Sequence, residues 1–161
     1  MNKEYEYSLK VKDVSEFIKY CNDNNYVKED EYLQTRTLFK NGGPVMARIT
    51  ENEINGKVEK ILNFKDDNLN DNTLKISRES KDLIVTSENE EFVESLLQIL
   101  DLNNKKVLKR KRYVFVKEYV KFEIDEYLEP IMNVIAIEGI KEEVDKVYES
   151  LSELINIQKV D

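Results

Sequence analysis

A two-residue alternation that puts charge on one face of a strand constrains this chain more than any other feature. Over residues 5–11, Tyr5, Tyr7, Leu9 and Val11 fall on one face, while Glu4, Glu6, Ser8 and Lys10 fall on the other. Side chains on a strand alternate faces, so the two sides differ in chemistry. The run ending near Glu126 repeats the division, with Val120, Phe122 and Ile124 set against Lys121, Glu123 and Asp125. In an open sheet the charged face would be the wet side, whereas in a closed barrel it can line the interior. Alternation alone does not choose between them. The composition of the polar faces does more: carboxylates gather on the first and late strands, and Arg48, Lys65, Arg78, Arg110 and Arg112 lie in the strands between. Long bases projecting inward require an anion and clustered carboxylates require a cation. A metal-bound polyphosphate supplies both.

The other elements follow from period and punctuation. Val14, Phe17, Ile18 and Cys21 recur at helical spacing, predicting a first helix over 14–22 closed by the asparagine-rich turn after it. Between 31 and 84, short runs rich in Thr, Ile, Leu and Phe are separated by Asn41-Gly42-Gly43-Pro44, by Asn55-Gly56 and by the polar stretch 66–72, which predicts an antiparallel meander. Ser87 with Glu90 reads as a capping box ahead of the stripe Phe92, Val93, Leu96, Leu97 and Leu100. Strands over 108–119, 120–126 and 133–138 come next. Ile140, Val144, Val147, Tyr148, Leu151 and Ile155 then space as the core face of one terminal helix. Both helical stripes read as packing surfaces, with a homodimer interface as the alternative. A length of 161 residues without repeat or linker predicts one domain spanning 1–161.

Charge and composition narrow the chemistry. A net charge of -8 argues against coating nucleic acid or an anionic membrane. The basic run 109–112 is the local exception, and a strand would split its charges between two faces. A small molecule is therefore the expected partner, with no nucleic acid and no membrane. Cys21 is the single cysteine, which leaves no disulfide framework and reads as a core thiol. There is no histidine, which removes the usual general base and the commonest zinc ligand. Any metal should be a hard, oxygen-bound ion, Mg2+ or Mn2+. No apolar stretch opens the sequence, so a cytoplasmic location is expected.

Several short motifs, taken in order, resemble a known family. Glu4-Tyr5-Glu6-Tyr7-Ser8 resembles the ExExK signature of the CYTH domain, or triphosphate tunnel metalloenzymes, a group of thiamine triphosphatases, inorganic triphosphatases and class IV adenylyl cyclases. Tyr32-Leu33-Gln34-Thr35 is similar to its Y-F-D-T, Arg48-Ile49 to its R-I-R, and Leu62-Asn63-Phe64-Lys65 to its L-T-x-K. Ser77-Arg78-Glu79 resembles the R-x-E region, Arg110-Lys111-Arg112 the K-x-R, and Ile124-Asp125 and Ile137-Glu138 the closing L-D and E-I-E elements. The resemblance runs over residues 4–138 and implies an α+β fold: a closed or nearly closed antiparallel β-barrel forming a tunnel, with helices packed outside.

The same resemblance implies the site. Glu4, Glu6, Glu138 and Asp125 would be metal ligands for Mg2+ or Mn2+, and Arg48, Lys65, Arg78, Arg110 and Arg112 would clamp phosphate. The implied activity is hydrolysis of inorganic triphosphate or thiamine triphosphate, with adenylyl cyclase as the second enzyme reading. Three departures support a third reading, a non-catalytic triphosphate-binding protein. The motif lysine is Ser8, the second arginine of R-I-R is Thr50, and the first glutamate of E-I-E is Ala136. Lys10, on the same face as Ser8 and about 7 Å further along, is left with Arg48 as the candidate catalytic pair. Glu4, Arg48 and Arg112 pointing outward on separate faces would contradict the whole reading.

Overall fold

The computed structural model describes residues 2–70 and 74–161. Nine strands and four helices follow in order: β1 (Asn2–Val11), α1 (Ser15–Asp23), β2 (Val27–Lys40), β3 (Val45–Ile54), β4 (Lys57–Asn70), β5 (Leu74–Glu79), β6 (Leu83–Ile84), α2 (Glu90–Ile99), β7 (Asn104–Lys117), β8 (Val120–Glu129), β9 (Ile131–Gly139), α3 (Lys141–Ser150) and α4 (Ser152–Gln158). The strands hydrogen-bond in the sequence β3-β2-β7-β8-β9-β1-β5-β4, and β4 pairs back onto β3, so eight antiparallel strands close into a barrel. The two-residue β6 is an addition to the edge of β4 that β5 leaves open. The expected α+β barrel with outer helices is the fold. Among the described residues no helix is long and apolar enough to cross a membrane.

Turn chemistry fixes the hairpins. Asn55 and Gly56 both take positive φ (52° and 78°) between β3 and β4, the two-residue turn whose twist matches the strands it joins. Gly139 is required for a different reason. Its φ is +147°, and a Cβ there would lie 1.9 Å from the Tyr119 carbonyl oxygen, so only glycine lets the end of β9 pass the β7–β8 turn. The polar stretch 66–72, expected as a turn, is strand as far as Asn70, while 71–73 lie outside the described residues. Pairing of β4 with β5 overrides the local preference, through a register shift between Asp66 and Leu69.

The apolar strand faces point outward, under the helices. Phe17 and Cys21 of α1, Val144 of α3 and Ile155 of α4 join Phe115, Phe122, Ile124, Ile135 and Ile137 of β7, β8 and β9 in the main core. Burial pushes the Cys21 thiol up to about 12, as befits a core thiol. Tyr7 stacks on Tyr148 with centroids 4.0 Å apart and donates to Asp145 at 2.7 Å, which ties α3 to β1. A second, smaller core forms where Val93 and Leu97 of α2 meet Ala47 and Leu62 of β3 and β4.

Two helix expectations change. The Ser87–Glu90 capping box does not form: α2 begins at Glu90, and the Asn89 side chain organises the preceding turn by accepting from Thr86 N (2.8 Å) and donating to the Ile84 carbonyl (2.9 Å). Phe92 and Leu100 of the predicted stripe are exposed, and Val93 and Leu97 are its buried members. The single terminal helix is two, divided at Leu151, whose N–H is shared between the carbonyls of Val147 and Tyr148.

Candidate functional site

With the apolar residues facing out, the charged faces enclose a cavity of about 660 Å³ inside the barrel, within the range of small-molecule sites. Glu4, Arg48 and Arg112 all line it. Strand register then decides which charges meet. Glu6 of β1 lies opposite Glu138 of β9, which in turn lies opposite Lys121 of β8, so the three form a row across the wall. The next row is Ser8, Ala136 and Glu123. Closure of the barrel brings the bases of β2, β3 and β7 across from these acids.

Glu6, Glu123 and Glu138 each present a carboxylate oxygen to one point, all within 4.8 Å of one another. Carboxylates held so close oppose one another's ionisation. Burial first, and then the charge of Glu123, push Glu138 up to about 8, against the pull of Lys121. Glu123 is displaced the other way. Burial pushes it up, but Arg112, Lys121 and Arg36 together hold it below the usual carboxylate range. The Lys121 ammonium lies 2.7 Å from Glu138 Oε1, so the geometry itself is that of an ionised Glu138. The upward push on Glu138 thus marks its burial beside a second carboxylate.

The basic groups divide into paired and unpaired. Arg112, buried, holds Asp125 in two parallel bonds (Nε to Oδ1 2.7 Å, the terminal nitrogen to Oδ2 2.8 Å) and Glu123 in a third (2.6 Å). Those carboxylates keep its proton on although burial works against charge. Arg110 donates through Nε to Gln34 Oε1 at 2.8 Å, contacts the Tyr127 hydroxyl, and lies 3.5 Å from Asp125. Arg48 donates to Asn63 Oδ1 at 2.9 Å and contacts Glu79. Arg36 is different. It lines the same cavity and donates to Thr50 Oγ1 at 3.1 Å, but among the described residues no carboxylate lies within ion-pair distance of it, and Glu123 acts on it only from further off. Burial, then Arg48, Arg110 and Arg112, disfavour its charge against the pull of Glu123. A guanidinium does not give up its proton in a protein, so this arrangement is short of an anion.

The cavity thus gathers Glu4, Glu6, Arg48, Lys65, Arg110, Arg112, Asp125 and Glu138 of the residues singled out from sequence. Two others lie elsewhere. Arg78 is exposed on the outer face of β5 and pairs with Asp66, because Ser77 is the buried residue beside it and Glu79 the cavity residue. Lys10 is exposed beyond the cavity, near the end of β1 where Val160 N bonds its carbonyl. Roles shift within the site as well. Asp125 is taken up by Arg112 and Arg110, and Glu4 lines the cavity outside the carboxylate cluster.

Two functional candidates were not singled out. Glu123 stood on the charged face with Lys121 and Asp125, and that alternation was its signal. Arg36 has the parity of Gln34 and sits opposite Thr50, so Thr50, an apparent loss, in fact anchors another arginine. The one buried side-chain polar atom lacking a partner among the described residues, Asp67 Oδ1, belongs to a residue of the same wall.

The fold recurs among solved structures. No family model and no curated protein matches this chain. Solved structures do match. A conserved hypothetical protein from Pyrococcus furiosus is 22% identical, with a TM-score of 0.67 over 96% of this chain and 89% of that one. HpAC1 from Hippeastrum, provisionally named an adenylyl cyclase and described as having a dominant triphosphatase activity, is 14% identical, with a TM-score of 0.66 over 98% of this chain and 90% of that one. A chain of the Schizosaccharomyces pombe Mediator head module is 9% identical, with a TM-score of 0.69 over 94% of this chain and 96% of that one. At these identities the likeness is one of fold, and the set is consistent with the CYTH-like barrel that the motifs imply. The Mediator match shows why the fold cannot settle the chemistry.

Proposed function

We propose that this protein is a divalent-metal-dependent phosphohydrolase acting on a triphosphate, inorganic triphosphate or thiamine triphosphate. The observation that carries the reading is Arg36, a cavity guanidinium among other guanidiniums with no carboxylate at ion-pair distance among the described residues. An anionic ligand answers that deficit, and the converging carboxylates of Glu6, Glu123 and Glu138 answer the need of a hard cation for oxygen donors. Bound there, Mg2+ or Mn2+ would polarise a phosphoryl oxygen and offset its charge. Arg36 and Lys65 bind and orient the phosphate oxygens, with Arg48, held by Asn63 and Glu79, beside them, and their positive charge favours the charge that builds up during phosphoryl transfer. Arg110 and Arg112, already engaged with Gln34, Asp125 and Glu123, hold the wall in register and contribute field rather than free donors. The surrounding barrel limits bulk water around the reacting group.

Binding without turnover is the second reading. Ser8 occupies the cavity position of the motif lysine, and Lys10, the nearest replacement along β1, lies outside the cavity. One assay separates the two. The pure protein is incubated with Mg2+ or Mn2+ and with inorganic triphosphate, thiamine triphosphate or ATP, while phosphate and cyclic AMP are followed. Phosphate release is expected, reduced about a hundredfold or more in Glu6→Gln. Cyclic AMP would favour a cyclase, and tight binding without product would favour the binding protein. No binding of any of the three would sink the triphosphate reading.

A further inference from the structure

Among the described residues two cations reach the carboxylate cluster, Arg112 at 2.6 Å from Glu123 and Lys121 at Glu138, and they reach it differently. The Lys121 ammonium lies 2.7 Å from Glu138 Oε1, on a side chain 41% exposed against 9% for Glu138. Arg112 is locked by two parallel bonds to Asp125, whereas Lys121 carries a single contact on a flexible four-carbon stem. It also has somewhere to go. Lys121, Glu4 and Glu138 line both the main cavity and a shallower one of about 760 Å³, where the β7–β8 turn meets the end of β9 beside Tyr119 and Ile140.

We propose that Lys121 is a built-in competitor for the divalent cation: its ammonium holds the place of the metal beside Glu138 and withdraws toward the shallower cavity when a metal ion enters the cluster. The proposal rests on the metal reading given above. A divalent ion taken up by Glu138 would stand beside the Lys121 ammonium, and like charges so close repel, so metal binding works against Lys121 in its place. The apparent affinity is lowered by the fraction of time the ammonium is in place. In return, the metal-free barrel has a second counter-charge beside Arg112 for its three carboxylates, whose crowding is costly in a partly buried site.

Lys121→Met and Lys121→Gln keep the stem and remove the charge. Titration of each with Mn2+, read by calorimetry or by the electron-paramagnetic signal of free Mn2+, should show binding about tenfold tighter than in the wild type, as expected if the ammonium is in place some nine-tenths of the time. Metal-free, both variants should melt at a lower temperature than the wild type, and saturating Mn2+ should close the gap. Wild-type binding that is unchanged or weakened in both variants would overturn the competition while leaving the metal site intact. Absence of Mn2+ binding in all three proteins would overturn the metal reading, and the role of Lys121 with it.

Discussion

Adjacent residues of β8 sit in opposite environments. Phe122 and Ile124 are fully buried among residues of α1, α3 and α4, while Lys121, Glu123 and Asp125, one step along the chain in each case, face the charged cavity. The outer face gains free energy by removing apolar area from water, about 25 cal/mol per Å². The inner face gathers desolvated charges whose mutual attraction roughly balances the cost of taking them out of water. A chain selected for stability alone would gain by replacing Glu123 and its partners with well-packed apolar residues. Their presence in the cavity points to a ligand, so stability and function are carried by different faces of the same strands.

The largest effect should come from the outer face. Phe122→Ala removes a fully buried ring and is expected to cost about 3 to 5 kcal/mol, measured by urea unfolding, with Phe122→Leu as the milder variant if the alanine form does not fold. A loss below about 1 kcal/mol would break the division between faces. The inner face should behave in the opposite way. Arg36→Met keeps the stem and deletes the guanidinium, and inorganic triphosphate affinity should fall roughly ten- to a hundredfold, the equivalent of about 1.5 to 3 kcal/mol for a charged hydrogen-bonding group. The melting temperature should hold or rise, because Arg48, Arg110 and Arg112 lose a like-charged neighbour while Glu123 keeps Arg112 at 2.6 Å. A loss of stability without a loss of affinity would make Arg36 a structural residue.

The outer and inner faces were not equally legible. Within one strand, parity is local, so the sequence shows the two faces of β1 and β8 directly. Which face turns inward, and what stands opposite, depends on partners far along the chain. Asp125 and Glu123 share a parity, but only the β7–β8 register sets Asp125 against Arg112 and leaves Glu123 to converge on Glu6 and Glu138. Arg36 was hidden for a related reason. The motif-like Tyr32-Leu33-Gln34-Thr35 stops one residue short of it, and its partner Thr50 reads as a deletion until β2 and β3 are paired. The Ser87–Glu90 pair had a local signal, yet the Asn89 turn displaced it. The division of the terminal helix at Leu151 had no signal in the spacing, which runs through the break.

Arg78 gives the smallest effect and the strictest test of register. It was assigned to the phosphate clamp from Ser77-Arg78-Glu79, yet β5 pairs so that Arg78 stands opposite Asp66 on the outer surface, 48% exposed, with Ser77 and Glu79 turned inward. A half-exposed ion pair contributes about 1 kcal/mol at most, so Arg78→Ala should change unfolding free energy by no more than that. Inorganic triphosphate affinity should change less than about twofold, since the lost charge is screened by solvent on the far side of the wall. A tenfold loss of affinity would mean that β5 is slipped by one residue, because a single-residue slip exchanges every side chain between faces. Arg78 would then enter the cavity, and Glu79 would leave Arg48 without its carboxylate. The cavity would gain one unpaired guanidinium and free another, making its deficit of anions larger than the one Arg36 alone creates.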